Sequence, residues 1–191
     1  MFVPTWDCVL DMSATDFEKY SLYILNQQIR GLDNVTFEHN AVIKKSDGTY
    51  QIDGVIRFTV MGLQYTTLVE CKHYRSPISR EKVQVLYDKI RAIGAHKGII
   101  VSTSNFQSGA IKYATEHGIA LIQITEADTR FETRDRYRVI QASPNLYNSG
   151  LPYIGVMQLA GEVGISCKYL REYSYPLREF LESPQSIISK N

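Results

Sequence analysis

The sequence predicts an α/β fold: a mixed central β-sheet flanked by helices. Two observations carry this. Three strand-like runs follow one another early in the chain, separated only by tight turns, and this is the mark of antiparallel hairpins. After them, short strands rich in β-branched residues alternate with helix-length amphipathic segments, as parallel strands with helical crossovers require. One sheet must hold both, in the order α-β-β-β-α-β-α-β.

The first helix is predicted over Ala14–Arg30. Ser13 can cap it with Asp16 three residues on, and Gly31 suits the residue just past its end. Phe17, Tyr20, Ile24 and Leu25 form an apolar stripe at helical spacing. The strand runs are Val35–Ile43, Tyr50–Val60 and Leu63–Lys72, with Ser46-Asp47-Gly48 and Met61-Gly62 as the turns. A helix over Ser79–Ile93 places Val83, Leu86, Tyr87, Ile90 and Ile93 on one side. Gly98–Thr103 and Ile119–Ile124 read as buried strands around a helix over Asn105–His117 that Gly118 ends.

After Thr125 the pattern changes. Asp128–Arg138 is dense in both signs of charge, and Ala142–Leu151 is rich in Ser, Pro, Asn and Gly. The expected organisation is a domain over residues 1–125 and a small C-terminal extension over 126–191 packed on it, with helices around Ile154–Gly161 and Tyr169–Glu182.

The length of 191 residues suits one compact domain with a small appendage, and a net charge of +1 means that any polyanion-binding surface must be local. No apolar stretch approaches the roughly 18 residues that span a bilayer, and the first residues lack the features of a signal peptide. Three cysteines without CxxC spacing suggest neither a disulfide framework nor a zinc site, so a cytoplasmic protein is expected.

The middle hairpin carries the chemistry. With Met61-Gly62 as a two-residue loop, Val60 pairs with Leu63, Asp53 falls opposite Glu70 and Gln51 opposite Lys72. Alternation then puts Ile52, Ile56, Phe58, Val60, Leu63, Tyr65, Val69 and Cys71 on an apolar face. Gln51, Asp53, Arg57, Gln64, Glu70 and Lys72 share the other. Directly opposed side chains have Cβ atoms about 4.5–5.5 Å apart, so the two carboxylates repel unless something cationic sits between them. Lys72 supplies part of that charge, and a proton or a hard divalent cation can supply the rest. A metal with a lysine beside it is what phosphodiester hydrolysis needs. A surface salt-bridge cluster is the alternative reading of the same residues.

Gln51-Ile52-Asp53-Gly54-Val55 and Leu68-Val69-Glu70-Cys71-Lys72-His73-Tyr74 resemble the Q-x-D…E-x-K motif of Mrr-like restriction endonucleases, in the PD-(D/E)XK nuclease superfamily. The resemblance extends to Phe17-Glu18, Val83-Gln84, Gly98 to Phe106, Ala110, Ala114 and Gly118 to Ile122, covering about residues 14–124. It implies a restriction-endonuclease-like core and a Mg²⁺-dependent DNA endonuclease of restriction or foreign-DNA defence type, with Mn²⁺ able to substitute. Asp53 and Glu70 match the metal ligands, with the Cys71 backbone carbonyl a third. Lys72 matches the catalytic lysine. Gln51 stands where other subfamilies have proline, and Glu18 and Gln84 match helix residues near the metal site. Dipole stabilisation and an exposed helix position are the bland readings of Glu18 and Gln84.

Between Glu70 and Lys97 seven Lys and Arg stand against three acidic residues. Arg75, Arg80 and His73 are the expected nucleic-acid contacts, whereas Arg80, Lys82, Lys89 and Arg91 also suit a solvated helix face. One such site cuts one strand, so a homodimer is expected. Nothing in the chain is long enough for a separate DNA-reading domain, which leaves target choice to the extension, a loop or a separate specificity subunit. The competing functions are a non-catalytic nucleic-acid-binding or assembly module and a junction-resolving or repair nuclease of the same superfamily.

Overall fold

The computed structural model describes residues 8–126, 153–170 and 175–183. The charge-dense and Pro/Asn-rich stretches noted above lie outside them. After a short 3-10 turn at Val9–Asp11 come α1 (Ala14–Gln28), β1 (Asp33–Lys45), β2 (Gly48–Val60), β3 (Leu63–Lys72), α2 (Arg80–Ile93), β4 (Lys97–Ser102), α3 (Ser108–Glu116) and β5 (Ile119–Glu126). This is the predicted order. Beyond it lie β6 (Tyr153–Gly161), β7 (Gly164–Tyr169) and α4 (Pro176–Glu182).

The seven strands form one sheet in chain order. β1, β2 and β3 are antiparallel, β3, β4 and β5 parallel, and β6 and β7 antiparallel again. Local chemistry explains the joints. Ser13 caps α1 by accepting the Asp16 N–H at 3.1 Å. Met61 and Gly62 have φ of 52° and 79°, so the β2–β3 loop takes both central residues into the left-handed region that a two-residue hairpin favours. Gly94 ends α2 in the same region.

Apolar cores cover both sheet faces. On one, Phe17, Tyr20 and Leu25 of α1 and Leu177 and Leu181 of α4 pack on Ile56, Phe58, Val69, Ile99, Val101 and Ile122. On the other, Val83, Leu86 and Ile90 of α2 and Ala110, Ile111 and Ala114 of α3 pack on Val55, Leu68, Ile100 and Leu121. Two glycines set how closely the helices approach. A Cβ on Gly98 would lie 2.6 Å from Ile90 Cδ1, and one on Gly54 would lie 2.6 Å from Leu22 Cδ2. α2 and α1 therefore sit directly on the strand backbone at those points.

The C-terminal helix expectations need correction. Ile154–Gly161 lies in a strand, because its apolar run fits either period and the exposed edge of β5 offers a ladder of backbone partners. Gly161-Glu162-Val163-Gly164, with Gly164 at φ 95°, is the hairpin turn that marks it. In the span from Tyr169 to Glu182, Tyr169 still belongs to β7 and the helix starts only at Pro176, which can open a helix but not continue one.

Lys97, at the start of β4, ties this region down. Its side chain is buried, and Nζ donates to the carbonyls of Phe180 and Ser183 and to Ser183 Oγ, capping the C-terminal end of α4. Burial draws its ammonium down from the usual lysine value to about 8. The folded pKa lies below the unfolded one, so at pH 7 the buried charge opposes folding, and that penalty fades as pH rises from about 8 towards the unfolded value. In urea unfolding at pH 7 and pH 10, wild-type stability should therefore rise relative to Lys97→Met; a constant difference would contradict this.

Candidate active site

The site forms where the β2–β3 ladder opens. Pairing runs from Val60↔Leu63 to Gly54↔Val69, in the register the loop predicts, and there it stops. Asp53 does not pair with Glu70 across the ladder as expected. Its carboxylate Oδ2 instead accepts the Cys71 N–H at 2.7 Å. The cause lies one strand over. Asn40 of β1 has φ 53°, and the residues on either side of it pair with Gly54 and Ile52, which flank Asp53. Asn40 Oδ1 accepts a 2.8 Å bond from Gln51 Nε2. This local kink resets the alternation of β2, so Ile52 packs under α2 with Val55 and Leu68, not with Ile56 and Phe58 as predicted. Val69, Tyr65 and Cys71 lie on the α1 side as expected, while Leu63 is exposed.

Glu70 and Lys72 keep a common face. Lys72 Nζ donates to Glu70 Oε2 at 2.7 Å, and Lys89 Nζ, reaching down from α2, lies 2.5 Å from Glu70 Oε1. Lys89 also donates to the Gln51 carbonyl at 3.1 Å, so it spans the opening between β2 and β3. The Glu70 side chain is 9% exposed. A carboxylate so enclosed requires cations on its oxygens, and it has one on each.

α1 brings a third carboxylate. Leu22 sits on Gly54, and Glu18 is one helical turn earlier on the same side, which carries it towards Asp53. Its Oε2 is 2.8 Å from His39 Nε2 of β1. The Asp53 carboxyl is held above the ordinary aspartate range. Burial is the main cause, and Glu70 and Glu18 add to it, against the Cys71 N–H and Lys72, which favour the charged form. For Lys72, burial is the largest influence and favours the neutral amine. The charge and hydrogen bond of Glu70, with Asp53, outweigh it and shift the ammonium upwards, so Lys72 is a cation at neutral pH.

Three carboxylates against two lysines leave the cluster short of positive charge. Among the described residues no group of three or more His, Cys, Asp and Glu side chains is placed to hold a metal ion. An ion here would rest on Asp53 and Glu70, completed by backbone oxygen and water, a donor set that fits Mg²⁺. Cys71 can complete it. The N–H and C=O of a strand residue leave on the same edge, and since its N–H meets Asp53, its carbonyl faces the same opening.

The other predicted residues divide. Gln51 contributes its carbonyl to Lys89 and its side chain to Asn40. Gln84 is exposed on α2 in a stripe with Arg80 and Tyr87, which meet Tyr113 of α3. At about 100° per residue Gln84 lies roughly 140° around α2 from Lys89. Arg80 lies with its guanidinium 5.0 Å from the Tyr113 ring centroid. His73 turns to the α1 side, against the Phe17 ring and within 3.2 Å of the Val9 carbonyl. Arg75 is exposed in the loop after β3. Thr103 Oγ1 and Ser104 Oγ clamp that loop by donating to the carbonyls of Tyr74 and Ser76, each at 2.7 Å.

Asn40 and His39 escaped the sequence reading, and Lys89 was read there only as part of a solvated helix face. The only signal for Lys89 was its place flanking the apolar stripe of α2, which does not say what it flanks. Asn in the middle of a strand run, at the position paired across from an aspartate, was the available sign of the kink.

A mixed sheet with helices on both faces, opened at one strand end around two carboxylates and a lysine, defines a nuclease domain of restriction-endonuclease type. Residues 9–128 match the family model for restriction endonuclease, Mrr_cat. The chain belongs to that family. No curated protein matches. Among solved structures it is similar to the crystal structure of a protein of unknown function, AF1548, at 18% identity and a TM-score of 0.47, spanning 57% of each chain. Among the described residues no helix is long and apolar enough to cross a membrane.

Proposed function

We propose that the protein is a Mg²⁺-dependent DNA endonuclease of restriction or foreign-DNA defence type. The observation that carries this is the meeting of Asp53, Glu70 and Lys72 at the opened end of the β2–β3 ladder, in a chain of the restriction endonuclease family. Asp53, Glu70 and the Cys71 carbonyl would hold the ion. When bound, it supplies Lewis acidity towards a phosphoryl oxygen and lowers the pKa of a bound water.

The chain's own residues do the rest. The Cys71 N–H fixes one oxygen of Asp53 and leaves the other for the site. Lys72, a cation held beside Glu70, is placed to stabilise charge building on the phosphate or to orient the attacking water. Glu18 stands at the margin, steered by His39. Arg75, on its clamped loop, contacts the phosphate backbone, and Arg80 and His73 are candidates whose rings and carbonyl partners must release them first. One site cuts one strand, so two copies of the chain act together on a duplex as a homodimer, and target choice falls to the extension, a loop or a separate specificity subunit.

Supercoiled plasmid, methylated and unmethylated, should be nicked or linearised in Mg²⁺ or Mn²⁺ and stay intact in EDTA. Metal-independent binding with no turnover would point instead to a non-catalytic nucleic-acid-binding module. Preferential cutting of four-way junctions would point to a junction-resolving enzyme.

A further inference from the structure

We infer that Lys89 is a resident counter-cation of the metal site, occupying with its ammonium the side of Glu70 that a divalent ion must take. The inference rests on the metal-dependent reading above and adds a role for a residue outside the motif. Its basis is geometric. Glu70 has two oxygens and each carries a lysine: Lys72 on Oε2, Lys89 on Oε1. The two lysines are not equivalent. Lys72 belongs to the same strand as Glu70, two residues on, and stays beside it however the helices move. Lys89 comes from α2, and its ammonium bridges Glu70 Oε1 to the Gln51 carbonyl, the backbone oxygen on the far side of the opening. An ammonium bonded to a carboxylate on β3 and a carbonyl on β2 makes the kind of oxygen contacts that a hard cation would make.

Asp53 gives the independent sign that this substitution is incomplete. Its one hydrogen bond among the described residues comes from the Cys71 N–H, and no lysine bonds to it. Lys89 therefore neutralises half of the ligand pair and leaves the other half for an ion of higher charge. An ion held by Asp53 and Glu70 would take the place of the ammonium beside Glu70, and Lys89, 23% exposed at its side chain, has the flexible stem to move outwards to the rim, where a phosphate of the substrate would meet it. Lys89 so competes with the ion for Glu70 and sets the concentration of ion needed.

Isothermal titration of Mn²⁺ into wild-type, Lys89→Met and Lys89→Arg protein in the absence of DNA tests this without recourse to activity. Removing the competing cation should tighten binding by about tenfold in Lys89→Met. Lys89→Arg, which keeps the charge, should stay near wild type. A wild-type protein that binds Mn²⁺ while Lys89→Met binds equally or more weakly overturns the inference and leaves the metal site standing. Absence of binding in wild type and Lys89→Met alike overturns both. Should Lys89→Met not fold, the wild-type protein still decides. Acetylation of Lys89, followed by mass spectrometry, should become several-fold faster on adding Mn²⁺ if the ion expels the side chain, and an unchanged rate refutes the exchange.

Discussion

Asp53→Asn is expected to abolish cleavage, with a loss of at least about 10³-fold, while making the metal-free protein more stable at neutral pH. The two effects have one cause. The Asp53 carboxyl is pushed up chiefly by burial and further by Glu70, so its folded pKa lies above the unfolded one. A raised acid favours the folded state while it is protonated, and that advantage is lost as pH rises through the folded pKa. At pH 7 without metal the Asp53 charge is therefore a net cost to folding. Asparagine removes that charge and can still accept the Cys71 N–H through its carbonyl oxygen. In thermal unfolding with EDTA, Asp53→Asn should melt above wild type at pH 7 and converge with it below about pH 4. Adding Mg²⁺ should raise the wild-type Tm and leave the variant's unchanged. A variant that melts below wild type at pH 7 by the same margin with and without Mg²⁺ would mean that Asp53 is a structural cap on β3 and nothing more.

The second large effect belongs to Lys72. Lys72→Ala should retain the fold and bind the metal at least as well as wild type, yet cleave about 10²–10³-fold more slowly. The lysine's ammonium bonds Glu70 Oε2, not Asp53, so its loss leaves both carboxylates in place and makes the cluster more negative. What disappears is the fixed positive charge next to the ligand pair. A loss of binding together with cleavage would instead assign Lys72 the task of holding Glu70 in position.

Most of the framework was legible because local chemistry and global pattern agree there. Ser13 with Asp16, Met61-Gly62 and Gly94 each specify a joint, and α1, β3 and α2 follow within a residue or two of their predicted limits. The hairpin register was equally legible, since a two-residue loop leaves no freedom in the pairing of Val60 with Leu63. The site was legible as a set of residues and less so as a geometry. Strict alternation carried Asp53 to a position opposite Glu70, and Asn40, in a strand the pairing argument did not include, breaks that alternation. Lys89 was hidden for a different reason. A lysine flanking an apolar helix stripe is ordinary, and only the β3–α2–β4 crossover brings it over the opened strands. The C-terminal strands failed for want of period, because Tyr153–Gly161 is too evenly apolar to distinguish strand from helix without its neighbour β5.

The central claim is that Asp53, Glu70 and Lys72 form one metal-dependent phosphodiesterase site, and paired measurements on Lys72→Ala test it most directly. Folded variant and wild type are titrated with Mn²⁺ and then incubated with supercoiled plasmid in Mg²⁺. Retained metal binding with cleavage reduced to about one part in a hundred or less is the predicted result. Plasmid cut by Lys72→Ala at the wild-type rate would contradict the assignment and move the chemistry elsewhere in the chain.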